Sequence, residues 1–310
     1  MALSVWSETL DHVIQQWAAE QRLRTPSLIV TAFGDAIEPR GGVVWLGGLI
    51  DMLTPLGVNE RLIRTSVYRL VQNGWLSTQS VGRKTNYALS PLGQQQVREA
   101  AARIYAAQPP TWDGQWRWVS WHTPCPVAKD RDAVKNTLYW QGYGSVGTSG
   151  FIRPSGLWAE TQHALQSDGL GHTLAFLVHM QVSQVDWGNR PPSDWVHQAW
   201  ALDELAKGYR SFVQRFAPLS GQPDAHIAPR DALTLRLLLI HEYRKLILRD
   251  PWLPSDLLGP DWPGQQARAL CAALYRQLLP LSMPAGDAIC QLADGQSTQC
   301  RPAAQERFAA

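Results

Sequence analysis

The chain is poor in the features that announce chemistry. Its four cysteines, Cys125, Cys271, Cys290 and Cys300, lie far apart and form no CxxC pair. That argues against a zinc ribbon and a dense disulfide framework and fits a reducing cytosol. Its eight histidines form no HExxH, and no GxSxG elbow occurs, so no assembled metalloprotease or hydrolase motif is present. No run of about 18 apolar residues exists. The opening "MALSVWSETLDHVIQQW" has no basic start ahead of an apolar core. The expectation is a cytoplasmic protein, neither secreted nor membrane-spanning. Charge is scarce too: charged residues make up 17% and the formal net charge is +2, a balance that says little about partners because one basic face can be cancelled elsewhere.

What is present is a globular composition. In 310 residues with 45% hydrophobic content there is room for two or three domains with cores. Fifteen tryptophans point to aromatic packing or flat ligand contacts without choosing between them. "PSLIVTAFGDAIE" has an early proline and apolar residues at helical spacing, "RGGVVWL" reads as a glycine break and a short strand, and "GGLIDMLTPLG" as a second helix. Asn59 caps a third helix that Gly74 closes. "WLSTQS" and "TNYAL" then form a hairpin around Val81 to Lys84, and "SPLGQQQVREAAARIY" returns to helix. Further on, "QWRWVSWH", "GSVGTSGFIRP" and "HTLAFLVHMQV" each hold a strand, separated by the helical "DRDAVKNTLYWQ" and "GLWAETQHALQSD", the pattern of a small α+β sandwich. From Pro192 the patterns are helical. The expected division is an N-terminal segment 1–26, a winged-helix domain 27–107, a middle domain 112–187, a helical domain 192–282 and a loosely packed tail 283–310.

Charge concentrates in one window. Between Asn59 and Asn86 five cations, Arg61, Arg64, Arg69, Arg83 and Lys84, face the single anion Glu60. At about 100° per residue Ile63, Val67, Leu70 and Val71 of "NERLIRTSVYRLVQNGW" share one sector, while Arg61, Thr65, Tyr68 and Gln72 lie opposite and Arg64 and Arg69 flank them. A recognition helix must bury one stripe and offer long donors to a groove, and arginine's planar fork suits both guanine and phosphate. A solvated surface helix is the bland alternative. The order helix, strand, helix, helix, hairpin, with Arg83 and Lys84 at the hairpin tip, favours a winged helix-turn-helix that contacts nucleic acid.

The stretch "RGGVVWLGGLIDMLTPLGVNERLIRTSVYRLVQNGWL" closely resembles the N-terminal domain of the PaaX family, bacterial repressors of phenylacetate-degradation operons. The resemblance continues through "VGRKTNYALSPLG", "WDGQW" and "LLLIHEYRKLILRDPWLPSDLLGPDWPG", from about Ser27 to about Pro280. It implies an α+β multidomain protein with a winged-helix DNA-binding domain, a ferredoxin-like (Cas2-like) middle domain and a helical C-terminal domain. It implies a homodimer on palindromic double-stranded operator DNA, released by an aryl-acetyl-CoA effector, phenylacetyl-CoA in the best-known branch. Arg64, Thr65 and Arg69 match the family's recognition helix and Arg83 its wing. Arg61, Tyr68 and Lys84 are added from helical geometry and wing position.

For the effector the resemblance carries no residue motif. A CoA thioester needs cationic donors beside an apolar slot, and "HEYRKLILRD" offers His241, Lys245 and Arg249 at fourfold spacing with Arg244 beside them. The alternative is a buried helix whose basic stripe pairs with Asp250 or Asp256. Trp252 and Trp262 suit core packing or stacking on a ring. No cofactor and no metal are expected. Gly142, Gly144 and Gly147 spell GxGxxG, but they follow a helix and lead into a strand, the reverse of a dinucleotide loop. His172 and His179, placed on one strand seven apart, would face opposite sides. A competing enzyme, cleaving nucleic acid or processing a CoA thioester, lacks a catalytic set: the strand ending "VSWHTPC" offers no carboxylate for a metal.

Overall fold

A computed structural model describes residues 5–19, 25–108, 112–185, 192–221, 227–296, 298, 300–301 and 306–308. In chain order the elements are α1 (Val5–Ala19), α2 (Thr25–Ala32), β1 (Val43–Trp45), α3 (Leu46–Leu53), α4 (Glu60–Gln72), β2 (Leu76–Val81), β3 (Lys84–Leu89) and α5 (Pro91–Ile104). They continue with β4 (Trp116–Trp121), α6 (Ala128–Trp140), β5 (Gly144–Val146), β6 (Gly150–Arg153), α7 (Trp158–Ser167) and β7 (Leu177–Val182). The last are α8 (Pro192–Trp200), α9 (Leu202–Phe216), α10 (Pro229–Ile247), α11 (Ser255–Leu258) and α12 (Pro263–Ile289). None of the described helices is long and apolar enough to cross a membrane.

Two compact units result, and they do not follow the linear division expected from sequence. One joins Met1–Ala107 with Ser211–Ile247 and Gln265–Ala310; the other joins Gln108–Arg210 with Leu248–Gly264. The reason lies in α10, whose residues from Ala232 through His241 are all buried. A helix buried on every side needs cover on every side, and α1, α2 and α5 supply part of it. Helix α1, in the segment left unassigned by the sequence reading, buries Trp6, Leu10 and Val13.

Local signals shape the first unit's sheet and its neighbour α4. The Asn59 side chain accepts from the Leu62 N–H at 2.9 Å. At the other end Gly74 takes φ +71° while the Trp75 N–H returns to the Leu70 carbonyl at 2.9 Å, a left-handed glycine closure. Strand β3 lies between β1 and β2. Val81 pairs with Lys84, leaving Gly82 and Arg83 as a two-residue turn with Gly82 at φ +60°, the first-position glycine that a tight hairpin turn accepts.

The tail corrects the expectation of loose packing. Helix α12 runs on to Ile289, the Trp45 N–H of β1 donates to the Gln291 carbonyl at 3.0 Å, and the Ala293 N–H donates to the buried Asn86 side chain at 2.7 Å. The open side of β1 has backbone donors that need partners, and residues past α12 provide one. Farther on, Phe308 is buried and its N–H donates to the Tyr105 carbonyl.

In the second unit, the order β-α-β-β-α-β gives an antiparallel sheet β5-β6-β4-β7. Val119, Val134, Leu138, Tyr143, Phe151, Leu165 and Leu170 form its core, bringing α6 and α7 onto one sheet face. "GSVGTSGFIRP" holds two strands rather than one. Of the GxGxxG glycines, Gly142 turns from α6 into β5, Gly144 opens β5 and Gly147 follows it, and a Cβ on Gly144 would lie 2.5 Å from the Trp200 ring. The strand expected over "HTLAFLVHMQV" starts only at Leu177. His172 sits before it in a tight helical turn over Gly171–Phe176, bonded to Asp130 at 2.8 Å, so the shared-strand reading of His172 and His179 is wrong.

Candidate nucleic-acid interface

The stripe predicted to face inward does so: Ile63, Val67 and Leu70 are buried, joined by Ser66, while Val71 is half-buried. Arg61, Arg64, Thr65, Tyr68 and Arg69 are all exposed, Tyr68 at 65%. Arg83 and Lys84 are exposed at the hairpin. Burying the apolar stripe, at about 1.5–3 kcal/mol per large aliphatic side chain, is what orients the polar face outward.

Several of these groups are held locally. Arg64 pairs with Glu60 one turn earlier, Nη2 to Oε1 2.6 Å, with both side chains more than half exposed; such a pair is worth under about 1 kcal/mol and an incoming anion can replace it. The Thr65 hydroxyl donates to the Arg61 carbonyl at 2.8 Å, leaving its oxygen lone pairs outward. Lys84 places Nζ 4.5 Å from the centre of the Trp45 ring, a cation–π contact that steadies the lysine without consuming its donors. Arg61, Arg69 and Arg83 make no ion pair with any described residue.

Between helix and hairpin runs a cleft lined by Leu46, Arg64, Tyr68, Val71, Gln72, Thr78 and Tyr87. Thr78 and Tyr87 are directly opposed across β2 and β3 and so share a sheet face. Sequence reasoning missed Thr78, Tyr87 and Trp45 at this face. The cross-strand register, implicit in the two-residue turn, is the signal that places Thr78 against Tyr87.

The proposed effector residues are distributed otherwise. Helix α10 ends at Ile247, so Arg249, two residues past it, does not continue the fourfold stripe and belongs to the other compact unit. His241 is fully buried, with Nδ1 3.0 Å from the Thr31 hydroxyl. Burial first, then Lys245 and Arg244 nearby, hold its pKa well below 6.5. Arg244 donates to the Ser27 carbonyl and to the Thr31 hydroxyl, each at 2.9 Å. Lys245 pairs with Glu242 at 2.6 Å, and Glu242 also receives Arg215 at 3.0 Å. Asp250 accepts from the Tyr209 hydroxyl at 2.7 Å and from the Trp252 N–H at 2.8 Å; the Asp256 side chain lies outside the described residues. Trp262 packs edge-on against Tyr209. No group of three His, Cys, Asp or Glu among the described residues is placed to hold a metal ion.

The exposed arginines of α4 thus stand on the same unit as the two cations of the hairpin. Three family models match in succession: the PaaX-like protein at residues 24–93, the PaaX protein central Cas2-like domain at 109–189 and the PaaX-like protein C-terminal domain at 200–285. The transcriptional repressor PaaX of Escherichia coli (strain K12) is 34% identical over 281 residues, spanning 88% of this chain and 86% of that protein. The chain belongs to the PaaX family. A solved structure of an uncharacterized protein from Mycobacterium tuberculosis aligns at 20% identity with a TM-score of 0.49, over 77% of this chain and 89% of that one.

Proposed function

We propose that this protein is a DNA-binding transcriptional repressor of an aromatic-acid (phenylacetate) catabolic operon, acting in the cytoplasm as a homodimer. The first unit's α2, β1, α3, α4 and hairpin are read as a winged helix-turn-helix with α4 as recognition helix, and the second unit's sheet as ferredoxin-like. The observation that carries the reading is α4 itself, whose apolar stripe is buried while Arg61, Arg64, Thr65, Tyr68 and Arg69 stand exposed beside Arg83 and Lys84 of the hairpin. The relative named as a transcriptional repressor supports the same role and favours a regulator over an enzyme that uses this domain only for docking.

Phosphate contacts then supply much of the affinity. With about ten basic groups near phosphates in a dimer, affinity for an operator fragment falls by roughly 10³ to 10⁵ between 50 and 200 mM salt. Fluorescence anisotropy with a labelled duplex from the upstream region of a phenylacetate catabolic operon measures this, and a flat salt response sinks the reading. De-repression requires an effector that favours the form unable to bind DNA. An aryl-acetyl-CoA thioester such as phenylacetyl-CoA is that effector here, and its titration into the protein–operator complex releases the DNA; if a panel of acyl-CoAs leaves the complex intact, the effector class is wrong.

A further inference from the structure

We propose that the central Cas2-like unit holds a binding site for one small oxyanion, a carboxylate or phosphate group, built from Arg117, Arg153 and His179. None of these residues takes part in the DNA face, and the proposal stands apart from the effector reading above.

The register sets the site. Arg117 of β4 lies directly opposite Arg153 of β6, and Val119, two residues along β4, lies opposite His179 of β7. Residues opposite one another or two apart on a strand share a sheet face, and Val119 and Phe151 place that face under α6 and α7. Two arginines, 5% and 6% exposed, thus stand side by side in the interior. Like charges directly opposed destabilise a sheet unless something offsets them.

Part of the offset is visible. Arg117 donates Nε to the Gly156 carbonyl at 2.8 Å and Nη2 to Asp113. Arg153 donates Nη1 to the Gln141 carbonyl at 3.0 Å and Nη2 to the Leu157 carbonyl at 2.8 Å and to Glu160 at 3.3 Å. Both carboxylates sit at the rim, their side chains 46% and 56% exposed, where water weakens their pull. Three nitrogens are left over: Arg117 Nη1, Arg153 Nε and His179 Nε2 are buried and have no partner among the described residues. Leaving such donors unmet costs about 1–3 kcal/mol each, more for charged groups.

The surroundings are built to hold these groups still. Trp158 stacks on the His179 ring at 4.7 Å with 8° between the planes, and the Tyr143 ring lies 5.0 Å beneath the Arg153 guanidinium. Gly156 has φ +93°, and a Cβ there would lie 2.3 Å from Arg153 Nη2, so glycine is what lets the loop close over the guanidinium. An oxyanion accepts from both guanidinium groups and from a protonated imidazole, and adds the negative charge that the exposed rim supplies only in part.

The test is a titration of the full-length protein, ring-labelled at histidine, with sodium phosphate and separately with sodium acetate at fixed ionic strength, read by NMR. The His179 signal is assigned by its loss in His179→Gln. Without anion, burial and then Arg117 and Arg153 keep His179's pKa below 6.5. A saturable shift of that signal, with its titration midpoint moving up, is the expected result, and the anion that saturates names the group. Arg153→Lys, which keeps charge but loses the planar donors, weakens binding roughly tenfold or more. If neither anion gives a saturable shift, the three nitrogens are met by ordinary water and the proposal fails, whether or not the variant folds.

Discussion

Helices α4 and α10 of the first unit each carry three arginines, but α4 exposes all of them while α10 exposes Arg230, half-buries Arg244 and buries Arg236. On α4 all three are exposed and, among the described residues, the only ion pair is the outer Arg64–Glu60 contact. On α10 Arg236 is wholly buried, with Nε 2.8 Å from Asp35 Oδ2 and Nη1 2.7 Å from the Ser282 hydroxyl. Asp35 also accepts from Tyr105 at 2.8 Å and from Arg307 at 3.3 Å. Burial alone pushes the Asp35 carboxyl up, but Arg236 and Arg307, helped by the two tyrosine hydroxyls, hold it below the ordinary carboxylate value. An arginine's periodicity says which face it takes; whether that face meets water or another helix decides what the charge does.

The largest break in the comparison comes from the buried side. Asp35→Ala leaves two interior guanidinium groups without their carboxylate and costs about 3–5 kcal/mol, read as a fall in the urea midpoint; Arg64→Ala, by contrast, stays within about 0.5 kcal/mol. A midpoint unchanged in Asp35→Ala would mean that the buried network is not what holds α10.

Acid provides the next test. His241 is neutral in the folded state, with its pKa depressed, and titrates near 6.5 when unfolded. Below about pH 6.5 the unfolded chain therefore binds a proton that the folded chain refuses. Stability is intact above that pH and falls as pH drops below it, by up to about 1.4 kcal/mol per pH unit. His241→Gln flattens this slope; an identical slope in wild type and variant would assign the acid loss to other groups.

On the exposed side, Arg69→Ala weakens operator binding by about 1–3 kcal/mol and relaxes base preference if it reads a base edge. If it touches phosphate alone, it weakens all sequences alike and lowers the salt slope by about 1. Competition between operator and scrambled duplexes separates the two. The smallest effect belongs to Glu60→Gln, which removes the partner of Arg64. It changes stability by under about 1 kcal/mol and raises DNA affinity at low salt, and a loss of affinity would mean that Glu60 orients Arg64 rather than competing with DNA.

Much of this is legible in the amino-acid sequence. The Asn59 cap, the Gly74 closure, the tight turn at Gly82 and the α4 stripe depend on neighbours within a few residues, where spacing and backbone preference act directly. Their outcome in the structure matches. The helical stripe through His241, Lys245 and Arg249 failed where a local pattern was extended past the helix end. Phe308 and Arg307, read as loose tail, turned out to be interior.

The sequence by itself determined the polar face of α4, because amphipathic periodicity and capping are local. Only the tertiary structure decided which charges are spent inside: Arg236 and Arg307 meet Asp35 across 201 and 272 residues of chain, and Arg117 meets Arg153 through strand pairing. Desolvation and charge pairing are set by whatever groups the fold brings near, and no local pattern in the chain encodes that distance.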